Sequence, residues 1–215
     1  GRRGRAWQSP HGNLAASLML PIDEPATSQM ATLGFVAGVA LSLALGDLAG
    51  AAEADSEVGN SGRIALKWPN DLLGDGAKLA GTLLEAQRVP GGHQVVVLGF
   101  GVNVVEGPTD VPYATTSLRQ MGIGAAAEEV FAALSNRWVE AYDLWDSGRG
   151  TARILDAWRS RAAGLGSEVA VMRNTDLVQG TFEAIDNSGR LVIRSAAGER
   201  IEISAGDVHF GTTAT

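Results

Sequence analysis

Through residue 163, apolar and polar positions follow two different periods, which predicts a mixture of strands and helices. Short apolar runs, each ended by proline or glycine, predict strands over residues 13–20, 63–68, 77–86 and 94–101. Apolar residues at helical spacing, together with turn signals at their ends, predict helices over residues 27–48, 125–145 and 151–163. Thr27 or Ser28 is expected to cap the first helix. Residues 50–62 predict a solvent loop, and Leu72 and Leu73 are expected only to lead into a glycine turn.

From residue 166 onward the pattern changes to short alternating strands separated by glycine turns. These strands are predicted over residues 168–172, 181–185, 190–194 and 199–203. A unit of roughly 50 residues with this pattern is typical of a small barrel, here a five-stranded SH3-like one. The sequence therefore predicts two domains, residues 1–164 and 165–215.

Composition describes an ordinary globular protein and removes several classes of chemistry. The 215 residues are 45% hydrophobic and 19% charged, with a net charge of −7, which argues against broad nucleic-acid binding. Cysteine is absent, which excludes disulfides and thiolate chemistry, and the three histidines show no metal-ligand spacing. No signal peptide is visible, so a cytoplasmic location is expected.

The segment over residues 25–46 carries no charge and is long enough to raise the question of a membrane span. Serine, threonine and glutamine interrupt it, and no lysine or arginine flanks either end. We predict a buried core helix and no membrane association.

The first seven residues contain three arginines, two glycines and Trp7, in a chain that is otherwise acidic. Arginine presents planar donors that match phosphate and carboxylate groups, and glycine lets the backbone approach such a ligand. The segment therefore predicts an anion-binding loop, and we expect that the chain starts inside this functional motif. A solvated tail is the alternative interpretation.

Three further segments carry candidate chemistry. Residues 67–71, Lys-Trp-Pro-Asn-Asp, present a cation, an amide and a carboxylate at the end of a predicted strand, where they could hold phosphate and Mg²⁺. Lys78 precedes Gly81 on the next strand, in an otherwise apolar setting. Residues 99–103, Gly-Phe-Gly-Val-Asn, place two alternate glycines before Asn103, whose amide has both donor and acceptor groups. Each segment alone also fits ordinary turn formers or solvated charges.

Taken in order, these segments resemble the biotin protein ligases. The resemblance rests on Gly1-Arg2-Arg3-Gly4-Arg5-Ala6-Trp7, Ser9-Pro10-His11-Gly12-Asn13-Leu14, Lys67-Trp68-Pro69-Asn70-Asp71, Lys78-Leu79-Ala80-Gly81 with Glu85, and Gly99-Phe100-Gly101-Val102-Asn103. Thr116-Ser117-Leu118 and Gly206-Asp207-Val208 extend it towards the C-terminus. It implies an α+β fold with a mixed, largely antiparallel sheet, packed helices and a small SH3-like C-terminal barrel.

The resemblance implies an enzyme that joins biotin to ATP and then transfers biotin to one lysine of a carrier domain in acetyl-CoA carboxylase or a related carboxylase. Lys78 would bridge the biotin carboxylate and the α-phosphate. Arg2 and Arg5 would hold phosphates, with Arg2 also closing over the adenylate and contacting biotin. The backbone near Gly81 would line the biotin slot.

For the nucleotide, the resemblance implies that Trp7 lies against the base and that Asn103 meets the adenine. Lys67 and Asn70 would serve the triphosphate and its Mg²⁺, with no metal ligand assigned to the protein beyond a place near Asn70. Asp71 would be structural or would assist the acceptor lysine. A monomer or weak homodimer is expected.

Three alternatives remain open at the level of the sequence. A lipoate or octanoate ligase shares the implied fold, and a bifunctional ligase–repressor would carry a DNA-binding domain upstream. A plain interaction module is the third. In the family, a glutamine and a serine–threonine pair precede the arginine loop, and these are missing before Gly1. We therefore expect these 215 residues to bind biotin weakly.

Overall fold

We describe the protein from a computed structural model that covers residues 8–22, 29–53, 63–173 and 176–211. It contains two five-stranded sheets and three α-helices. The N-terminal sheet consists of β1 (Leu14–Ile22), β2 (Ile64–Lys67), β3 (Asp71–Gly74), β4 (Ala77–Arg88) and β5 (Gln94–Val102). The C-terminal sheet consists of β6 (Glu168–Arg173), β7 (Asp176–Ile185), β8 (Leu191–Arg194), β9 (Arg200–Ile203) and β10 (Asp207–Phe210). The helices are α1 (Leu33–Glu53), α2 (Ala127–Trp145) and α3 (Thr151–Arg159).

The N-terminal sheet has the strand order β1-β5-β4-β3-β2, and every neighbouring pair is antiparallel. Its central strands, β4 and β5, are long and pair over nine residues from Ala80↔Val102 to Arg88↔Gln94. The expectation that Leu72 and Leu73 merely precede a turn is wrong, because β3 forms there between β2 and β4. Its four residues are too few for a periodic pattern to stand out.

Helices α1 and α2 cover one face of this sheet. Phe100 of β5 meets Trp138 of α2 edge-on, with ring centroids 6.2 Å apart. Helix α1 is long and apolar enough, by length and composition, to cross a membrane. Here it is a core helix, since Val36, Ala40 and Leu41 are all buried within the fold. The predicted cap residues Thr27 and Ser28 lie outside the described residues, and a 3-10 turn over Met30–Thr32 leads into the helix.

Two predicted boundaries are corrected by the structure. Helix α1 continues to Glu53, so residues 50–53 are helical and do not belong to a loop. Helix α3 ends at Arg159, before the predicted residue 163. It ends because residues 161–163 run beside β2, where the N–H of Leu66 donates to the carbonyl of Arg161 and the N–H of Ala163 donates to the carbonyl of Leu66, at 2.8 and 2.7 Å.

The C-terminal sheet has the order β10-β6-β7-β8-β9, all antiparallel, and confirms the predicted all-β unit. β7 is longer than predicted because its first residues, which lack strong alternation, pair with β6. The sheet contacts the rest of the protein at the turn after β7. There the indole N–H of buried Trp68 donates to the carbonyl of Gly189 at 3.0 Å.

Candidate functional site

A cavity of about 580 Å³ lies on the face of the N-terminal sheet opposite the helices. The ring of Phe100 packs against Trp138 on the helical face, so its neighbours Gly99 and Gly101 lie on the opposite face, where they line the cavity. The turn after β2, the loop around Tyr113 and strand β10 complete the wall. Among the residues lining this cavity are Lys67, Asn70, Lys78 and Gly81, which the sequence analysis named as candidate binding or catalytic residues.

A larger space of about 800 Å³ lies at the start of α2, between His11, Asn13, Arg119 and residues 122–129. None of the sequence-predicted site residues lines it. The side-chain oxygen of Asn13 accepts from the N–H groups of Val104 and Val105, at 3.0 and 2.9 Å, which ties the turn before β1 to the end of β5. We therefore take the smaller cavity as the candidate site.

The floor of the candidate site is made of small residues that lie side by side across four strands. The register pairs Ala15 with Gly101, Gly101 with Gly81, and Gly81 with Asp71. Two glycines and an alanine in one row leave the backbone open to a ligand, because no side chain rises above it. Asp71 closes one end of this row, so a flat or extended ligand lying on the floor would end beside a carboxylate.

Lys78 stands at the beginning of β4, next to that carboxylate. Its ammonium Nζ is 2.8 Å from Oδ1 of Asp71, and the two side chains are 21% and 22% exposed. Its backbone is fixed by the neighbouring loop, where Lys78 N–H donates to the carbonyl of Ala114 and the carbonyl of Lys78 accepts from Thr116 N–H. Nζ also lies 5.4 Å from the ring centroid of Tyr113. A cation is therefore held at a defined place in the cavity.

The segment over residues 67–71 forms a tight turn between β2 and β3. The Trp68–Pro69 peptide bond is cis. The side-chain amide of Asn70 donates to the carbonyl of Thr82, and Thr82 N–H donates back to the carbonyl of Asn70 at 2.8 Å. The turn is thereby fastened to β4. Lys67, which precedes it, places its ammonium 5.6 Å from the ring centroid of Phe210 in β10.

Asn103 lies directly after β5 and is 98% buried, with a relative exposure of 2%. Its amide nitrogen donates to the carbonyls of Thr116 and Lys78, at 3.0 and 3.3 Å. Its side-chain oxygen accepts no hydrogen bond from the described residues. Asn103 does not line the cavity. The side-chain amide that was expected to contact an adenine is therefore not exposed to the cavity in this structure. What it does in this structure is join Lys78 to the loop over residues 114–116.

The predicted residues Arg2, Arg5 and Trp7 lie outside the described residues. Within the described ranges, no three aspartate, glutamate or histidine side chains converge as a metal-binding group. The described lining of the cavity thus includes two cations, Lys67 and Lys78, and two carboxylates, Asp71 and Asp207, around an uncharged floor. The two cations are the groups that could meet an anionic ligand on this floor.

Tyr113 and Phe210 are among the cavity residues that reasoning from the sequence missed. Tyr113 follows Pro112 in an irregular loop, where no pattern signals a side chain directed at Lys78. Phe210 lies 143 positions after Lys67 in the chain, so only the docking of the C-terminal sheet brings the two together. The role of Asp71 was left open, and its pairing with Lys78 is the part that the structure adds.

Comparisons with known proteins show which family this chain resembles over nearly its whole length. The profile of the "Biotin/lipoate A/B protein ligase family" matches residues 1–103, and that of the "Biotin protein ligase C terminal domain" matches residues 164–211. The biotin–[acetyl-CoA-carboxylase] ligase of Paracoccus denitrificans is 39% identical over 220 residues, covering 98% of this chain and 85% of that protein. The enzyme of the same name from Mycobacterium tuberculosis is 30% identical over 211 residues, covering 97% of this chain and 73% of that protein.

Among solved structures, the biotin protein ligase from Aquifex aeolicus in complex with biotin and ATP superimposes with a TM-score of 0.75. It is 24% identical, and the match covers 99% of this chain and 84% of that one. This likeness concerns the fold and confirms the predicted α+β class.

Proposed function

Because this chain belongs to the biotin protein ligase family, we propose that the cavity on the N-terminal sheet is where it activates biotin with ATP. The protein is a ligase that forms biotinyl-5′-adenylate and passes the biotin to a lysine of a carboxylase carrier domain. The observation that carries the proposal is the position of Lys78, whose ammonium stands at one end of a floor of small residues.

The first step joins two anions, which explains the need for fixed cations. A carboxylate oxygen of biotin attacks the α-phosphorus of ATP, the bond to the bridging oxygen breaks, and pyrophosphate leaves. Negative charge accumulates on the α-phosphate oxygens, so a positioned ammonium lowers the barrier. Lys78 has three N–H donors, and it can retain Asp71 while donating to the biotin carboxylate and the α-phosphate.

The second step needs a neutral amine on the acceptor protein. The amine nitrogen of the acceptor lysine attacks the acyl carbon of the adenylate, AMP leaves, and an amide forms with loss of one proton. Asp71 lies in the cavity beside Lys78 and is the carboxylate that we assign to this step. It either receives this proton or orients the amine.

In this proposal, the floor of the cavity binds biotin and the outer wall binds the nucleotide. The row of Ala15, Gly101 and Gly81 gives the flat, uncharged surface that a fused-ring ligand requires. Lys67 and Asn70 would serve the triphosphate, and Mg²⁺ would arrive with ATP and reduce the charge of its phosphates. With few carboxylates in the described part of the cavity, most of the Mg²⁺ ligands would be phosphate oxygens and water.

We also propose binding roles for Arg2, Arg5 and Trp7, which lie outside the described residues, and for the buried Asn103. Arg2 and Arg5 would hold phosphates, Arg2 would close over biotin and the adenylate, and Trp7 would lie against the base. Asn103 has one buried oxygen without a donor among the described residues, which fits a role in receiving the exocyclic amine of adenine after local rearrangement. The protein would act in the cytoplasm as a monomer or weak homodimer.

A test of this function measures ATP–pyrophosphate exchange by the full-length protein, with biotin as the variable substrate. Exchange should depend on biotin and should be much slower with lipoate, which separates this activity from that of a lipoate ligase. Incorporation of biotin into a purified carrier domain then tests the second step. Preferential exchange with lipoate, or no exchange with either acid, would contradict the proposal.

A further inference from the structure

The end of the C-terminal sheet forms part of the wall of the ligand cavity. Residues 207–210 of β10 all line it, although they belong to a different sheet from the other strands of the wall. Phe210 is the last of them, and 42% of its surface is exposed. Its ring centroid lies 5.6 Å from the ammonium of Lys67. That distance is within the range in which a cation is attracted by the face of an aromatic ring.

The ring of Phe210 is held in place by contacts that do not involve Lys67. Phe210 pairs with Val169 in the antiparallel ladder, and the next N–H, of Gly211, donates to the carbonyl of Glu168 at 2.9 Å. The ring packs on Gly164, where an added Cβ would come within 2.2 Å of its Cε1 atom. A side chain at position 164 would therefore push the ring away.

The backbone of Lys67 is tied to the same part of the molecule on both sides. Before it, Leu66 forms two backbone hydrogen bonds with residues 161 and 163, which lead into the C-terminal sheet. After it, Trp68 donates to the carbonyl of Gly189 at 3.0 Å. Lys67 and Phe210 are thus kept close together by contacts on either side.

We propose that Phe210 is a positioning residue for ATP, because its ring holds the Lys67 ammonium at the wall of the cavity where the triphosphate would pass. This inference rests on the proposed function. A lysine has about 2 kcal/mol of rotamer entropy to lose when it binds a phosphate. An aromatic ring that already restricts the ammonium reduces that loss of entropy. The ring affects the binding of ATP and not that of biotin, because biotin lies towards Lys78.

The test replaces the ring by an aliphatic side chain and by another aromatic one. Phe210→Leu keeps apolar packing on Gly164 but removes the π face, and Phe210→Tyr keeps the face. We expect Phe210→Leu to raise KM for ATP about 3- to 10-fold in pyrophosphate exchange, as a partly exposed cation–π contact implies. KM for biotin should stay within about twofold, and Phe210→Tyr should behave as wild type.

Two controls separate this role from general damage to the C-terminal sheet. Leu177→Ala removes another exposed apolar side chain of that sheet, 46% exposed and outside the cavity, and should leave both KM values unchanged. In a Lys67→Met background, Phe210→Leu should have no additional effect on KM for ATP, because the two residues act together.

Several outcomes would overturn the inference. These are an unchanged KM for ATP in Phe210→Leu, an equal rise in KM for biotin, or an undiminished effect in the Lys67→Met background. Failure of the wild-type protein to catalyse biotin-dependent exchange is a different result, since it contradicts the proposed function and not the role of Phe210.

Discussion

Lys78 and Asp71 form an ion pair in which neither charge is fully exposed or fully buried. A pair of this kind contributes little to stability, because solvent screens it and each side chain must be ordered. Its value for a ligase lies in placement: the carboxylate directs the ammonium over the floor, and the ammonium still has donors for an incoming anion. The base of the side chain is fixed by two backbone hydrogen bonds, in which Lys78 N–H donates to the carbonyl of Ala114 and Thr116 N–H donates to the carbonyl of Lys78.

The first prediction concerns this ammonium. Lys78→Ala should slow biotin-dependent pyrophosphate exchange by about 100- to 1000-fold, the usual effect of removing one preorganised group that stabilises transition-state charge. Arg137→Ala is the control, because it removes a surface cation that pairs with Asp47 on the helical side. Exchange by Lys78→Ala within a few-fold of wild type would show that the cavity chemistry does not depend on this residue.

Single residues of the site were recognisable from the sequence where unusual residue types come in a fixed order. Lys67, Asn70, Lys78 and Gly81 were predicted this way, and the structure brings all four into one cavity. Asn103 was predicted for its donor and acceptor edge, but its burial depends on the loop over residues 114–116. A sequence pattern does not reveal which backbone carbonyls an amide will meet.

At the scale of elements, the floor of the cavity depends on strand register. Gly81 faces Asp71 on one side and Gly101 on the other because β3, β4 and β5 pair at those positions. The alternation of strand residues then places Phe100 among the helices and leaves the glycines on the ligand side. A slip of one residue would reverse both faces.

The second prediction tests this floor. Gly81→Val should raise KM for biotin at least about tenfold, since a branched side chain would stand where the ligand rests, and poor steric fit of that order costs 1–3 kcal/mol. KM for ATP should change less. Leu84→Val alters the same strand on its opposite face, outside the cavity, and serves as the control. Equal effects of the two variants on biotin would argue against a biotin site on the floor.

The turn between β7 and β8 is the element that meets Trp68, and Asp186 organises it. Oδ1 of Asp186 accepts from the N–H groups of Ser188 and Arg190, both at 2.8 Å, and Oδ2 accepts from the Arg190 guanidinium. Burial by itself raises the pKa of Asp186, but these hydrogen bonds and the charge of Arg190 lower it more, so the pKa lies below its ordinary value of 3.8.

The third prediction follows from that lowered pKa. A carboxyl group with a lower pKa in the folded protein stabilises it fully above pH 3.8 and loses this contribution as the pH falls through the folded value. Asp186→Asn should reduce the free energy of unfolding by about 1–2 kcal/mol at pH 7, and the difference from wild type should shrink below pH 4. Urea titrations at several pH values measure this, with Asp143→Asn, an exposed position on α2, as the control. A difference that persists unchanged at pH 3 would refute the explanation.

At the scale of the whole molecule, the two sheets are joined by buried contacts and not merely by a linker. Buried apolar residues of both sheets belong to one continuous core cluster. The turn at Gly189 lies so close to α1 that a Cβ there would be 2.5 Å from Cε2 of Phe35. Since Trp68 donates to the same glycine, the segment over residues 67–71 is held from the C-terminal side.

The fourth prediction compares two glycines of the C-terminal sheet. Gly189 and Gly198 both have positive φ, +77° and +82°, so alanine costs about 1–2 kcal/mol of backbone strain at either position. Only at Gly189 does the new methyl group also collide with Phe35, whereas nothing lies within 4 Å at Gly198. Gly189→Ala should therefore lower Tm by several degrees more than Gly198→Ala and should also reduce exchange activity. Equal losses of Tm would mean that the contact with α1 adds nothing.

What the sequence determined by itself is local: most helices and strands, and the identity of the charged and glycine-rich segments. Those depend on periodicity and residue type, which act over a few neighbouring positions, whereas the α+β class was implied by the resemblance to a family. The tertiary structure alone decided that β3 completes the sheet, that residues 161–163 pair with β2, and that Phe210 faces Lys67. These features arise from pairing and packing between distant segments, because hydrogen-bond partners and burial are set by the folded chain as a whole.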